Sequence, residues 1–212
     1  MENTTNFKDI YQPATEVFSN WAEIGKDEGM EKGHADSVNF MMDKLEPKIQ
    51  NPFSALDLGC GNGWVVRKFS EIETCQVAMG IDGAQKMIEK AHALDSLGQY
   101  FHADILEWNP MQTCSIIHSM EVLYYLENPL KVVNNIYTKW LEKGGSFIFG
   151  IDHYTENTPS LNWAAECGIN MNTQPIKYWL NIMNLAGFKN IQHWQIGKKN
   201  KWMGTLVILG EK

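Results

Sequence analysis

A glycine cluster directly behind a short apolar run, Ala55-Leu56-Asp57-Leu58-Gly59-Cys60-Gly61-Asn62-Gly63, constrains this chain more than any other segment. The apolar run reads as a buried strand, and the pattern from Val65 to about Ile72 reads as a helix, so the glycines form a strand–loop–helix turn. Glycines there let the backbone bend tightly and let a ligand approach the main chain beside the free N–H groups of a helix start. A dinucleotide fingerprint, G-x-G-x-x-G/A, fits poorly. Trp64 stands three positions after Gly61, where close helix–strand packing calls for Gly or Ala.

Strands and helices continue to alternate behind this unit. Residues 77–81 form the next apolar run, and Ala84, Met87, Ile88, Ala91 and Leu94 then fall on one helical face. Residues 100–102 and 114–118 are brief strand candidates. Leu130, Val133, Ile136, Tyr137, Trp140 and Leu141 predict a helix ending at Gly144-Gly145, with a strand over 146–151. Such alternation predicts a parallel sheet covered on both faces. Residues 152–175 read as polar and irregular, and 176–186 as helical. Two runs, 188–196 and 202–209, then flank the turn Gly197-Lys198-Lys199-Asn200-Lys201, so the sheet is expected to finish with an antiparallel pair. The three lysines read as a solvated hairpin tip.

Upstream, Val17, Trp21 and Ile24, and then Val38, Met41, Met42 and Leu45, sit at helical spacing within residues 10–45, with Pro47 as a stop. Gly25, Gly29 and Gly33 between them predict two helices joined by a loop over 25–34.

The chain has 212 residues, 44% hydrophobic and 20% charged, with a formal net charge of −7, which suits one globular domain and argues against disorder. No apolar stretch approaches the roughly 18 residues of a membrane span. Residues 1–7 are polar with no basic-then-apolar signal, so a cytoplasmic location is expected. The acidic balance argues against nucleic acid as a partner. Cys60, Cys75, Cys114 and Cys167 lack C-x₂-C spacing, and the six histidines lack H-x₃-H or H-E-x-x-H spacing. Reduced thiols and no metal are the expectation from spacing alone.

Two further acids follow at strand ends: Asp82 closes Gly80-Ile81-Asp82, and Asp104 follows in Ala103-Asp104-Ile105. Singly, each reads equally as a helix cap or a solvated loop carboxylate. After Asp57 they make three acids at successive strand ends, and a carboxylate in the place of Asp82 can accept two hydrogen bonds from a ribose diol.

With these motifs, the chain resembles the class I S-adenosylmethionine-dependent methyltransferases over roughly residues 53–150. Leu56-Asp57-Leu58-Gly59-Cys60-Gly61-Asn62-Gly63 is similar to the first motif of that family, and Gly80-Ile81-Asp82 to its ribose-binding strand end. Ala103-Asp104-Ile105 resembles the adenine-side motif, Ser119-Met120-Glu121-Val122-Leu123-Tyr124-Tyr125-Leu126 the fourth-strand motif, and Gly144-Gly145-Ser146-Phe147 the turn into the fifth strand. The resemblance implies a doubly wound, mostly parallel seven-stranded sheet of Rossmann-like methyltransferase fold, with a C-terminal antiparallel hairpin. It divides one methyltransferase domain into a helical lid over 1–47 and a core over 53–212. It further implies S-adenosylmethionine as cofactor. Gly59, Gly61, Gly63 and Asp57 would lie at its methionine end, Asp82 and Gly83 at the ribose, Asp104, Ile105 and Met87 at the adenine, and Met120 and Val122 near the sulfonium.

The expected reaction is in-line methyl transfer to a small-molecule acceptor, which requires proximity and exclusion of water more than a strong catalytic motif. In an open α/β sheet the site lies at the carboxyl ends of the strands. Glu121 is therefore a candidate for orienting an acceptor, or else a cap of the next helix. His153 is a candidate base, or else an ordinary strand-end histidine. Trp21, His34, Tyr124, Tyr125 and Trp163 are candidate substrate contacts, with one of the two tyrosines expected in the core and Trp21 equally suited to helix packing. His118 reads as a core residue. Two alternatives stay open at this stage: a nicotinamide-dependent oxidoreductase on a similar fold, and an S-adenosylmethionine-binding regulatory protein without catalysis.

Overall fold

The structure, a computed structural model, describes residues 11–212. The polar start and Ile10 lie outside the described residues. Seven strands form one sheet: β1 (Phe53–Leu58), β2 (Cys75–Asp82), β3 (Gln99–His102), β4 (Cys114–Met120), β5 (Leu141–Ile151), β6 (Lys189–Ile196) and β7 (Thr205–Glu211). Their order is β3-β2-β1-β4-β5-β7-β6, and β7 alone runs against the others. The chain moves outward from β1 to β3 and then returns to place β4 on the other side of β1. That reversal opens a crevice at the carboxyl ends of β1 and β4, where an α/β sheet binds ligands.

Period-two alternation along the strands feeds two apolar layers. Leu56 and Leu58 pack with Val132 and Val133 of α5 (Pro129–Asn135) and with Trp179, Ile182 and Met183 of α6 (Ile176–Ala186). Phe53 and Ala55 face the opposite layer. That layer is built from α2 (Asp27–Ile49), α3 (Trp64–Ser70) and α4 (Gln85–Leu94), through Val38, Met41, Val66, Phe69 and Ile88. Such fully buried side chains each contribute about 1.5–3 kcal/mol relative to exposure. The terminal pair β6–β7 is antiparallel, as the lysine-rich turn predicts. No helix among the described residues is long and apolar enough to cross a membrane.

The structure departs from the sequence expectation in three places. The region 25–34 is not a loop: α1 (Ala14–Glu23) is followed by a short turn, and α2 then runs 23 residues through Gly29, Gly33 and Pro47. Glycine costs about 1 kcal/mol relative to alanine in a helix, so tertiary contacts must offset it. The buried Asp27 supplies them, accepting hydrogen bonds from Asn62 Nδ2 (2.8 Å) and Lys90 Nζ (2.9 Å). Ile24, assigned by periodicity to the packed face, is 66% exposed, because α1 ends one residue earlier. Finally, the helix predicted to reach Gly144 ends in a π-turn at Trp140. Leu141 already pairs with Cys114, and a register irregularity lets β5 absorb both glycines.

Candidate active site

The glycine loop is built by backbone geometry. Gly59 N and Cys60 N both donate to Ile81 O, at 2.8 and 3.0 Å, folding the chain back across β2. Gly59 has φ +72°, and a Cβ there would lie 2.2 Å from Val122 Cγ2. Gly61, also left-handed at φ +52°, meets only Met87 Sδ at 4.0 Å, so its α-carbon faces open space. Any side chain at either position would be strained, and at Gly61 it would fill the cavity.

Asp82 locks this loop to the next helix. One carboxylate oxygen accepts from Gly61 N (2.9 Å) and the other from Ala84 N (2.7 Å). Burial raises the Asp82 carboxyl above its ordinary pKa, while these two donors pull it back. Each oxygen keeps a further lone pair, and Asp82 lines a cavity of about 270 Å³ over the loop. Ile105, Met87 and Val122 form apolar walls, and Ala14 and Phe18 of α1 with Tyr125 close the outer side.

An inner cavity continues past Gly59, Gly61 and Met120 to a polar end made by Asp57, His34 and Glu121. Asp57 is buried in β1 and accepts from His118 Nδ1 at 2.7 Å. Glu121 follows β4 with φ +61°, a strained conformation for a side-chain-bearing residue. Its carboxylate accepts from the backbone N–H of Asp152 and, at 2.7 Å, from the Tyr124 hydroxyl. Burial first, and then the charge of Asp152, raises the Glu121 carboxyl to about 8. His34, on α2, places Nε2 3.4 Å from Asp152 Oδ2. Burial opposes charge on His34, but Asp152 and Glu121 outweigh it and raise the imidazole to about 9.

Residues 27–193 match the family of methyltransferase domains. The chain belongs to that family. The match begins at Asp27, so α2, with its tether to the glycine loop, lies within the methyltransferase domain. A trans-aconitate 2-methyltransferase of Pseudomonas aeruginosa is 22% identical over 156 residues, covering 71% of this chain and 56% of the relative. A second, from Agrobacterium fabrum, is 27% identical over 46% of this chain and 38% of its own length. The chain thus spans about half or less of these curated relatives. Among solved structures, a chain of the complex between the Haloferax volcanii Trm112 methyltransferase activator and a methyltransferase superposes with TM-score 0.78. It is 20% identical and covers 92% of this chain and 96% of that one. At that identity the likeness establishes the fold, which is the Rossmann-like methyltransferase fold.

Within this methyltransferase domain, the cavities collect many of the residues singled out in the sequence. Gly59, Gly61, Met87, Met120 and Glu121 line both cavities. Asp82, Gly83, Ile105, Val122 and Tyr125 line the outer one, and Asp57 and His34 the inner. Others stand apart. Gly63 is backed by the Tyr100 ring, and exposed Asp104 accepts from Leu106 N at 2.8 Å, capping its own turn. Tyr124 is the tyrosine packed in the core, 1% exposed. Trp21 lies under Lys26 Nζ, and Trp163 stacks beside His153 and Trp202. His153 is fully buried, with Nδ1 2.9 Å from Ser160 O and Nε2 2.7 Å from Thr173 Oγ1, and it lines neither cavity. Both of its nitrogens are committed to holding the segment after β5. Sequence reasoning did not single out Met30, Phe18 or Asp27. Asp152 belonged to the segment 152–154 that the end of the fifth strand selects, but His153 was the candidate taken from it.

Proposed function

We propose that this methyltransferase domain binds S-adenosylmethionine in the cleft over the glycine loop and methylates a small-molecule acceptor held between Met120, Tyr125 and Glu121. The observation that carries this reading is the open α-carbon of Gly61 beside the Asp82 carboxylate, at the start of α4. A nucleoside diol fits the free lone pairs of Asp82, and an apolar base fits against Met87 and Ile105. These residues therefore suit the cofactor. When bound, it supplies an electrophilic methyl on a sulfonium, open to in-line displacement.

The chain itself contributes position and dryness. Met120 and Val122, at and after the end of β4, border the end of the cleft away from Asp82. Pro13, with Ala14 and Phe18 of α1, walls it from solvent, serving as the lid with α2. Glu121 lies on the acceptor side, its carboxylate fixed by Tyr124 and the Asp152 amide. The relatives named for trans-aconitate methylation support a small carboxylic acid as the first acceptor to try.

Calorimetric titration with S-adenosylhomocysteine should give one site per chain, while NADH should give none. Turnover is then measured with S-adenosylmethionine across a panel of small acids that includes trans-aconitate. Binding of NADH without S-adenosylhomocysteine would overturn the reading.

A further inference from the structure

At the polar end of the inner cavity, His34 of α2 and Glu121 after β4 meet a third side chain from a distant part of the chain, Asp152 after β5, which does not itself line the cavity. One ligand atom from each lies within 4.8 Å of the other two. We propose that this trio binds a divalent metal cation, with His34 Nε2 and one carboxylate oxygen each from Glu121 and Asp152 as the protein ligands.

Four features of the geometry converge on a cation. His34 Nδ1 lies 2.7 Å from Met30 O. A carbonyl oxygen only accepts, so Nδ1 carries a proton and Nε2 is the nitrogen turned toward the carboxylates, where a binding cation would displace its proton. Metal-ligating histidines are oriented in this way. Second, His34 Nε2 and Asp152 Oδ2 stand 3.4 Å apart. A charge-assisted hydrogen bond would draw them to about 2.7–2.9 Å. Two ligands each about 2.0–2.1 Å from one tetrahedral ion stand about 3.4 Å apart.

Third, Asp152 is 6% exposed, and its Oδ1 has no hydrogen-bond partner among the described residues. A carboxylate oxygen so placed calls for a positive ligand, because burial without a partner is costly. Fourth, Glu121 is held in its left-handed conformation with its carboxylate oriented by the Tyr124 hydroxyl and the Asp152 amide. Such donors commonly fix a ligating carboxylate.

One imidazole and two carboxylates without a thiolate suit Zn²⁺ or Mn²⁺ over softer ions. His34 and Glu121 open onto the inner cavity beside Met120, which leaves a path for entry and room for an acceptor oxygen as a further ligand. The cation site stands on geometry alone; its use in holding an acceptor rests on the proposed methyl transfer. There a bound cation would offer an acidic acceptor a positive partner beside Glu121 and Asp152.

The test uses the full chain, stripped with EDTA and desalted. Titration with MnCl₂, with free Mn²⁺ followed by electron paramagnetic resonance, and calorimetry with ZnCl₂ should each show one cation per chain. Asp152→Asn and His34→Gln should each weaken binding at least tenfold. Both variants should still bind S-adenosylhomocysteine, whose proposed contacts they leave in place. In the wild-type protein, Mn²⁺ below one equivalent should broaden the His34 ring resonances before those of His92 and His193, a readout no folding defect in a variant can imitate. Absence of saturable binding of either ion by the wild-type protein, broadening centred elsewhere, or undiminished binding by the folded double variant would overturn the metal site. Failure of the wild-type protein to bind S-adenosylhomocysteine would overturn the methyltransferase reading instead and leave the cation result standing.

Discussion

Asp82 and Asp152 occupy equivalent places, each at the carboxyl end of a parallel strand and each bordering the same crevice, yet their surroundings are opposite. Both oxygens of Asp82 accept backbone N–H bonds, from Gly61 and Ala84. Asp152 has one oxygen facing the imidazole of His34 and the other without a partner among the described residues. The first carboxylate is satisfied by the loops it joins, and needs a ligand only for its spare lone pairs. The second is met by one imidazole on one oxygen only. The comparison separates a carboxylate held by backbone N–H groups from one held by a side chain of a distant helix.

The largest expected effect falls on the satisfied aspartate. Asp82→Ala should weaken S-adenosylhomocysteine binding about 100-fold, near the roughly 1.5–3 kcal/mol of a hydrogen bond to a charged group, with further loss from the freed Gly61 amide. Calorimetry measures it, and a change below threefold would mean that the nucleoside lies elsewhere. Asp152→Asn sharpens the contrast. Cofactor affinity should stay within about twofold, while apo stability at pH 7 should fall, because burial opposes charge on His34 and the Asp152 carboxylate that outweighs it is lost. An unchanged apo melting temperature would mean that the two groups do not interact.

Asp27 joins the two regions, since its bonds to Asn62 and Lys90 tie the helix bearing His34 to the glycine loop. Asp27→Ala should cost about 1–3 kcal/mol by leaving Asn62 without its partner, seen as a drop of several degrees in thermal denaturation. The smallest effect tests the helix between them. Gly29 and Gly33 have nothing within 4 Å of an added Cβ. Gly29→Ala and Gly33→Ala should therefore each stabilise by about 0.4–1 kcal/mol, whereas no gain would be expected if the segment were the loop its glycines suggest.

The contrast also explains what could be read without coordinates. The Asp82 half of the site is local: strand, glycine loop and the next strand end lie within one short stretch, and each residue there answers to backbone geometry. Gly59 and Gly61 are glycines because their φ values demand it, and Asp82 stands where the next strand ends. Asp104 shares that sequence position, but it stands exposed in the turn after β3, where one carboxylate oxygen accepts from Leu106 N. At the end of β5 the error was a single residue. His153 is the chemically suggestive side chain, but it turns to Ser160 and Thr173, while Asp152 turns to His34.

The succession of strands and helices along the chain, the glycine turn, the terminal hairpin and the place of Asp82 at a strand end were all determined by sequence, because periodicity and backbone permissiveness act over a few residues. Tertiary structure decided the rest. It carried α2 through two glycines by anchoring Asp27, and it chose which of two adjacent side chains after β5 meets His34. It also brought His34, Glu121 and Asp152 together from three separate elements. Their meeting depends on how α2 crosses the ends of β4 and β5, and no local pattern encodes a crossing.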